Sequence, residues 1–119
     1  MDQDRANELV ARANELHNSG QRLEAAPLYV EAAEAFPPYA SFALVAGDTF
    51  AETGHPDDAV RAYRVCLAGE PDHEQAWLGL GQQLLRVGDE AAAREAYGHA
   101  NVPFPLDQRG CLSRWFGGR

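Results

Sequence analysis

Histidines and cysteines are the side chains of this sequence that could bind a metal ion or act as nucleophiles. No two of the four histidines have the His-Glu-x-x-His spacing that places two metal ligands on one face of a helix. Cys111 lies between Arg109 and Arg114, whose charges would favour its thiolate, but no histidine adjoins it as a base. We therefore expect no catalytic or metal site, and an enzyme centred on Cys111 or His17 is the weaker alternative.

The pattern of glycines also gives no support for a cofactor. A phosphate-binding loop needs a glycine-rich stretch between a strand and a helix. Here the recurring glycines mark turns, and no glycine-rich loop follows a strand and begins a helix. We expect neither a nucleotide nor another cofactor.

Composition narrows the class of protein. The chain has 119 residues, of which 45% are hydrophobic and 24% charged, as in an ordinary soluble globular domain. Its formal charge of −8 would repel a phosphate backbone, so we expect no nucleic-acid partner. No apolar run approaches the roughly 20 residues of a membrane span, and the acidic start 1–5 is unlike a secretory signal. These features predict a cytoplasmic protein that does not bind membranes and keeps its cysteines reduced.

An internal repeat dominates the sequence. Five sets of residues recur at a step of 34 positions: Gly20, Gly54 and Gly88; Ala25, Ala59 and Ala93; Tyr29, Tyr63 and Tyr97; Pro37, Pro71 and Pro105; and the small residues Ala13, Gly47 and Gly81. A step of this length is typical of stacked helical repeats. It divides a single domain into units 6–39, 40–73 and 74–107, followed by a tail, 108–119.

Each unit is predicted to form two helices, because helical periodicity stops at the glycine, resumes, and stops again at the proline. In the third unit, Trp77, Leu80 and Leu84 fall on one side of the first helix and should face the core. Pro27 lies inside the second helix of the first unit and predicts a late start near residue 23 or 24, or a kink. The third unit's second helix should end near Asn101.

The pattern Trp77-x-x-Leu80-Gly81-x-x-Leu84, followed by Ala93-x-x-x-Tyr97 and Pro105, resembles the tetratricopeptide repeat. The other two units are in phase with it. The resemblance covers residues 6–107 and implies an all-α fold, a right-handed superhelical stack of three helix-turn-helix repeats with a short C-terminal capping segment.

The resemblance also implies that the first helices line a concave groove that binds a protein or peptide partner. Along that side run aliphatic residues, flanked by amide and charged residues. The expected groove residues are Val10, Asn14, His17, Leu44, Asp48, Glu52, Leu78, Gln82, Leu85 and Arg86. A purely structural interpretation stays open, because single exposed aliphatic side chains are common on protein surfaces.

The tail, 108–119, differs from the repeats in composition. It carries three arginines and no acid, whereas residues 1–107 hold all 18 carboxylates against seven arginines, a charge of −11. The apolar residues Leu112, Trp115 and Phe116 could cover the open end of the third unit, as stacked repeats generally require. Alternatively, they could enter the groove of another copy and give a homodimer.

These observations favour a non-enzymatic interaction module that holds a peptide or helix of a protein partner in its concave groove. One alternative is a structural module that assembles with itself through the tail. Another is a small chaperone of the kind that serves secreted proteins, although no single residue selects that role.

Overall fold

The computed structural model describes residues 2–107, which are helical apart from short turns. A short 3-10 helix, Pro37–Tyr39, links the first two units. The α-helices in chain order are α1 Asp2–Asn18, α2 Arg22–Ala35, α3 Ala40–Glu52, α4 Pro56–Gly69, α5 Glu74–Val87 and α6 Glu90–His99. The all-α prediction is confirmed. None of the helices within residues 2–107 is long and apolar enough to cross a membrane.

The turn glycines explain the fixed step of the repeat. Gly20, Gly54 and Gly88 have φ of +87°, +80° and +89°, a left-handed conformation that costs a residue with a Cβ atom about 1–2 kcal/mol. At Gly54, its own N–H donates to the carbonyl of Ala51, and the next N–H donates to the carbonyl of Phe50. This pair of bonds forms a Schellman motif, which closes a first helix and starts the turn into the second. The other two glycines repeat it.

The helices pack in sequence, each against the next, and form two layers. The first helices α3 and α5 contact each other in one layer, and the second helices α2 and α4 contact each other in the other. Alanines supply much of the core between the layers, and small side chains let helix axes approach closely. Cys66 is fully buried in this core, at the position that Ala32 and Ala100 occupy in the other two units.

Tyr63 on α4 fills the junction between the second and third units. Its ring packs against two glycines, Gly47 on α3 and Gly79 on α5, which have no side chains. A Cβ atom on Gly47 would come within 2.7 Å of this ring, and one on Gly79 within 2.5 Å. At the junction of the first two units, Tyr29 is instead stacked on Phe42, with ring centroids 5.5 Å apart. At Tyr63, the two glycines therefore allow α3 and α5 to pack directly against the ring, in place of the aromatic stacking seen at Tyr29.

The prediction of a late start for α2 is wrong. The helix begins at Arg22 and runs through Pro27. Its start is in phase with those of α4 and α6, because the same glycine turn sets all three. Pro27 leaves the carbonyl of Leu23 without an intrahelical donor, but both residues are exposed, so water can hydrate that carbonyl.

The early end of α6 is confirmed. The helix stops at His99, and Asn101 takes φ of +59° in a Schellman motif like those of the glycines. Residues 104–107 then run back along α6. Phe104 is buried against Tyr97, with Arg94 4.4 Å above its ring, and Asp107 accepts a 2.7 Å hydrogen bond from Arg94.

Candidate functional site

The candidate groove lies on the layer of first helices, α1, α3 and α5. Its expected aliphatic residues are Val10, Leu44, Leu78 and Leu85, and each of the four is half-buried. The three leucines pack partly against the core. They therefore contribute to folding and also keep part of their surface in solvent, whereas the sequence pattern had placed them wholly outside the core.

Two polar groove residues receive hydrogen bonds from tyrosines of their own unit. The hydroxyl of Tyr29 donates to Oδ1 of Asn14 at 2.5 Å, and the hydroxyl of Tyr63 donates to Oδ1 of Asp48 at 2.5 Å. Sequence reasoning missed both bonds. The signal was present, since both pairs are 15 residues apart and both columns keep the 34-residue step. The third unit places Gln82, which is exposed, at the equivalent position.

The hydrogen bond between Tyr63 and Asp48 is accompanied by a large shift in the pKa of the tyrosine. Burial, the hydrogen bond to Asp48 and the charges of Asp48 and Glu52 raise the pKa of Tyr63 far above its ordinary value. Its phenol therefore stays protonated and keeps donating to the carboxylate. The remaining oxygen of half-buried Asp48 is an acceptor at the centre of the three first helices.

The charged residues beside this pair already have partners within the protein. Glu52 forms a 2.9 Å ion pair with Arg22, which joins α3 to the start of α2. Arg86 donates to the carbonyl of Ala51 at 3.2 Å, which joins α5 to α3. These contacts hold neighbouring units in register, so both residues have a structural role in addition to the binding role expected from sequence.

His17 is half-buried, with its ring edge-on to Tyr29 at a centroid distance of 6.5 Å. His73 caps the start of α5. Its Nδ1 accepts a hydrogen bond from the N–H of Ala76 at 3.2 Å. No group of three potential ligands within residues 2–107 is arranged to hold a metal ion. The tail residues Leu112, Trp115 and Phe116 lie outside the described part of the chain.

A concave feature that the sequence analysis did not single out runs along α4, on the layer of second helices. A cleft of about 790 Å³ there is lined by apolar residues such as Val60, Val65 and Val87, with Arg61 and Arg64 at its edge. Two smaller clefts share lining residues with it. We call this feature the α4 furrow. The repeat pattern hid it, because that pattern assigns second helices to internal packing.

Comparison with known proteins agrees with the repeat geometry. A family model described as tetratricopeptide repeat matches residues 10–65 and again residues 44–100. The two overlapping matches together extend from α1 to the end of α6 and so include all six helices of the groove and the furrow.

Proposed function

Because the chain belongs to the tetratricopeptide repeat family, whose repeats generally mediate protein–protein interactions, we propose that it binds a peptide or helix of a protein partner in the groove of its first helices. The observation that carries this proposal is the half-exposed aliphatic row of Val10, Leu44, Leu78 and Leu85. These four side chains come from all three units and lie on one layer.

The aliphatic row supplies the driving force for binding. Completing the burial of such side chains removes further apolar surface from water, worth roughly 25 cal/mol for each Å². A partner with apolar side chains at helical or alternate spacing would bury the row without requiring the repeats to rearrange. Turn motifs already close the first helices α1, α3 and α5, so a partner would bind ordered helices and little conformational entropy would oppose binding.

The polar residues provide direction and register. Asn14 and Asp48 are held by tyrosine hydroxyls, which fixes one oxygen of each and leaves the rest of the amide or carboxylate for a partner. Gln82 adds an exposed amide in the third unit. Fixed polar groups between apolar contacts favour one alignment of the bound segment over shifted ones.

The experiment is affinity capture from the native cell with the full chain as bait. The variant Leu44→Glu/Leu78→Glu places two charges on the aliphatic row and should lose the partner. Because both leucines also pack partly against the core, circular dichroism must show that the variant is still folded before capture is compared. The matched control is Leu23→Glu, since Leu23 is 40% exposed at the start of α2 and lies away from the row.

Two outcomes would contradict the proposal. The first is equal capture by the wild type and by a folded Leu44→Glu/Leu78→Glu variant. The second is loss of capture on Val87→Glu alone, since Val87 is 40% exposed and lines the α4 furrow. That result would move the binding surface to the layer of second helices.

A further inference from the structure

The centre of the first-helix layer carries a carboxylate, Asp48, that forms no ion pair with any residue in the described part of the chain. In the first unit, a tyrosine donates to the neutral amide of Asn14; in the second, it donates to the charged Asp48. Glu52 is paired with Arg22, and Arg86, whose positive charge acts on Tyr63, donates its hydrogen bond to the carbonyl of Ala51. Among residues 2–107, no ion pair neutralises Asp48.

The charge and surroundings of Asp48 indicate which kind of side chain a partner should present to it. A half-buried carboxylate between aliphatic side chains is best satisfied by an arginine or lysine whose neighbours in sequence are apolar. Leu44 lies one helical turn before Asp48 on α3, and Leu78 occupies the equivalent position on α5. The groove therefore fits a basic segment in which apolar residues surround the positive charge.

The sequence itself contains such a segment. Residues 108–119 carry Arg109, Arg114 and Arg119 and no acid, while the rest of the chain has a charge of −11. Arg114 stands between Leu112 and the aromatic pair of Trp115 and Phe116. On these grounds, and resting on the proposed binding groove, we propose that the groove takes residues 108–119 of a second copy of this chain, with Arg114 at Asp48.

Length limits how far the segment can reach. Arg114 stands seven residues after Asp107, and seven residues span at most about 25 Å when extended. Residues 104–107 run back along α6 at the end of the stack, held by Phe104 on Tyr97 and Asp107 on Arg94. Asp48 lies on α3 of the second unit, beyond α5 and α4 from this point of the chain, whereas exchange between two copies fills both grooves at once and closes as a symmetric dimer.

The test measures the mass of the full chain in solution by sedimentation equilibrium over a range of concentrations. Wild-type protein should form a dimer. Asp48→Lys and Arg114→Glu should each weaken dimerisation at least about tenfold, and an equimolar mixture of these two variants should dimerise again, because each tail then meets a groove of opposite charge.

A matched variant separates charge from folding. Asp48→Asn removes the charge but keeps an acceptor for Tyr63, as Asn14 already does for Tyr29. It should weaken the dimer with little change in melting temperature. A wild-type chain that stays monomeric, a dimer unaffected by these changes, or a mixture that stays monomeric would overturn the proposal. The proposed binding of another protein in the groove is tested separately. It would still hold after any of these results if Leu44→Glu/Leu78→Glu abolished capture of that protein.

Discussion

The ring of Tyr63 rests on the backbone of Gly79, so closely that a Cβ atom at position 79 would lie 2.5 Å from Cζ of the tyrosine. This contact joins the second unit to the third and keeps the Tyr63 hydroxyl aimed at Asp48. The glycine is therefore part of the support for the groove, although it has no side chain of its own.

Gly79→Ala should destabilise the protein by about 1–3 kcal/mol, because the added methyl group overpacks the junction and displaces Tyr63. The matched control is Gly98→Ala in α6, where an added Cβ meets nothing within 4 Å and alanine is the better helix former by up to about 1 kcal/mol. Urea unfolding measures both. Equal effects of the two substitutions would show that the Tyr63 contact is unimportant.

The turn glycines should be sensitive to backbone conformation alone. Gly54 has φ of +80° and open space around it, so Gly54→Ala should cost about 1–2 kcal/mol without any steric clash. Gly54→Asn should cost less, since asparagine tolerates this region and Asn101 already adopts it in the same motif. Thermal unfolding would reveal the order, and an alanine variant as stable as wild type would contradict it.

Cys66 should make stability depend on pH on the alkaline side. Burial raises the pKa of its thiol from 9.0 to about 11. Because the folded-state pKa is the higher one, the contribution is complete below pH 9 and is lost as the pH rises toward 11. Cys66→Ala, which matches the alanines Ala32 and Ala100 in this column, should flatten that part of the profile.

The measurement is the free energy of unfolding between pH 8 and pH 11 for the wild type and Cys66→Ala. The raised pKa of Tyr63 adds a decline of the same sign, so the difference between the two proteins isolates the thiol. Parallel profiles would mean that Cys66 ionises as easily in the folded protein as in the unfolded chain.

The architecture could be predicted well because constraints on the backbone require particular residue types, which can be read directly from the sequence. A glycine at φ near +85° and a proline after each second helix recur at every unit, and both restrict the chain locally. The start of α2 was mispredicted for the opposite reason. The local penalty of Pro27 was considered alone, while the glycine turn and the packing of α2 outweighed it.

The hydrogen bonds and ion pairs of the polar groove residues were not predicted from the sequence. Asn14, Asp48, Glu52 and Arg86 were expected as binding residues of the groove, and each has an intramolecular partner. Those partners are 15 to 35 residues away and depend on how units pack, which periodicity within one helix does not report. The capping role of His73 was missed because it depends on side-chain geometry at a single turn.

The most direct test of the central claim uses a photo-cross-linking amino acid placed at position 78 or position 23 of the full chain in its native cell. The account predicts a cross-linked protein adduct from position 78, on the first-helix layer, and none from position 23, although both positions carry leucine. Adducts of equal yield from both positions, or from position 23 alone, would contradict the assignment of the groove as the binding surface.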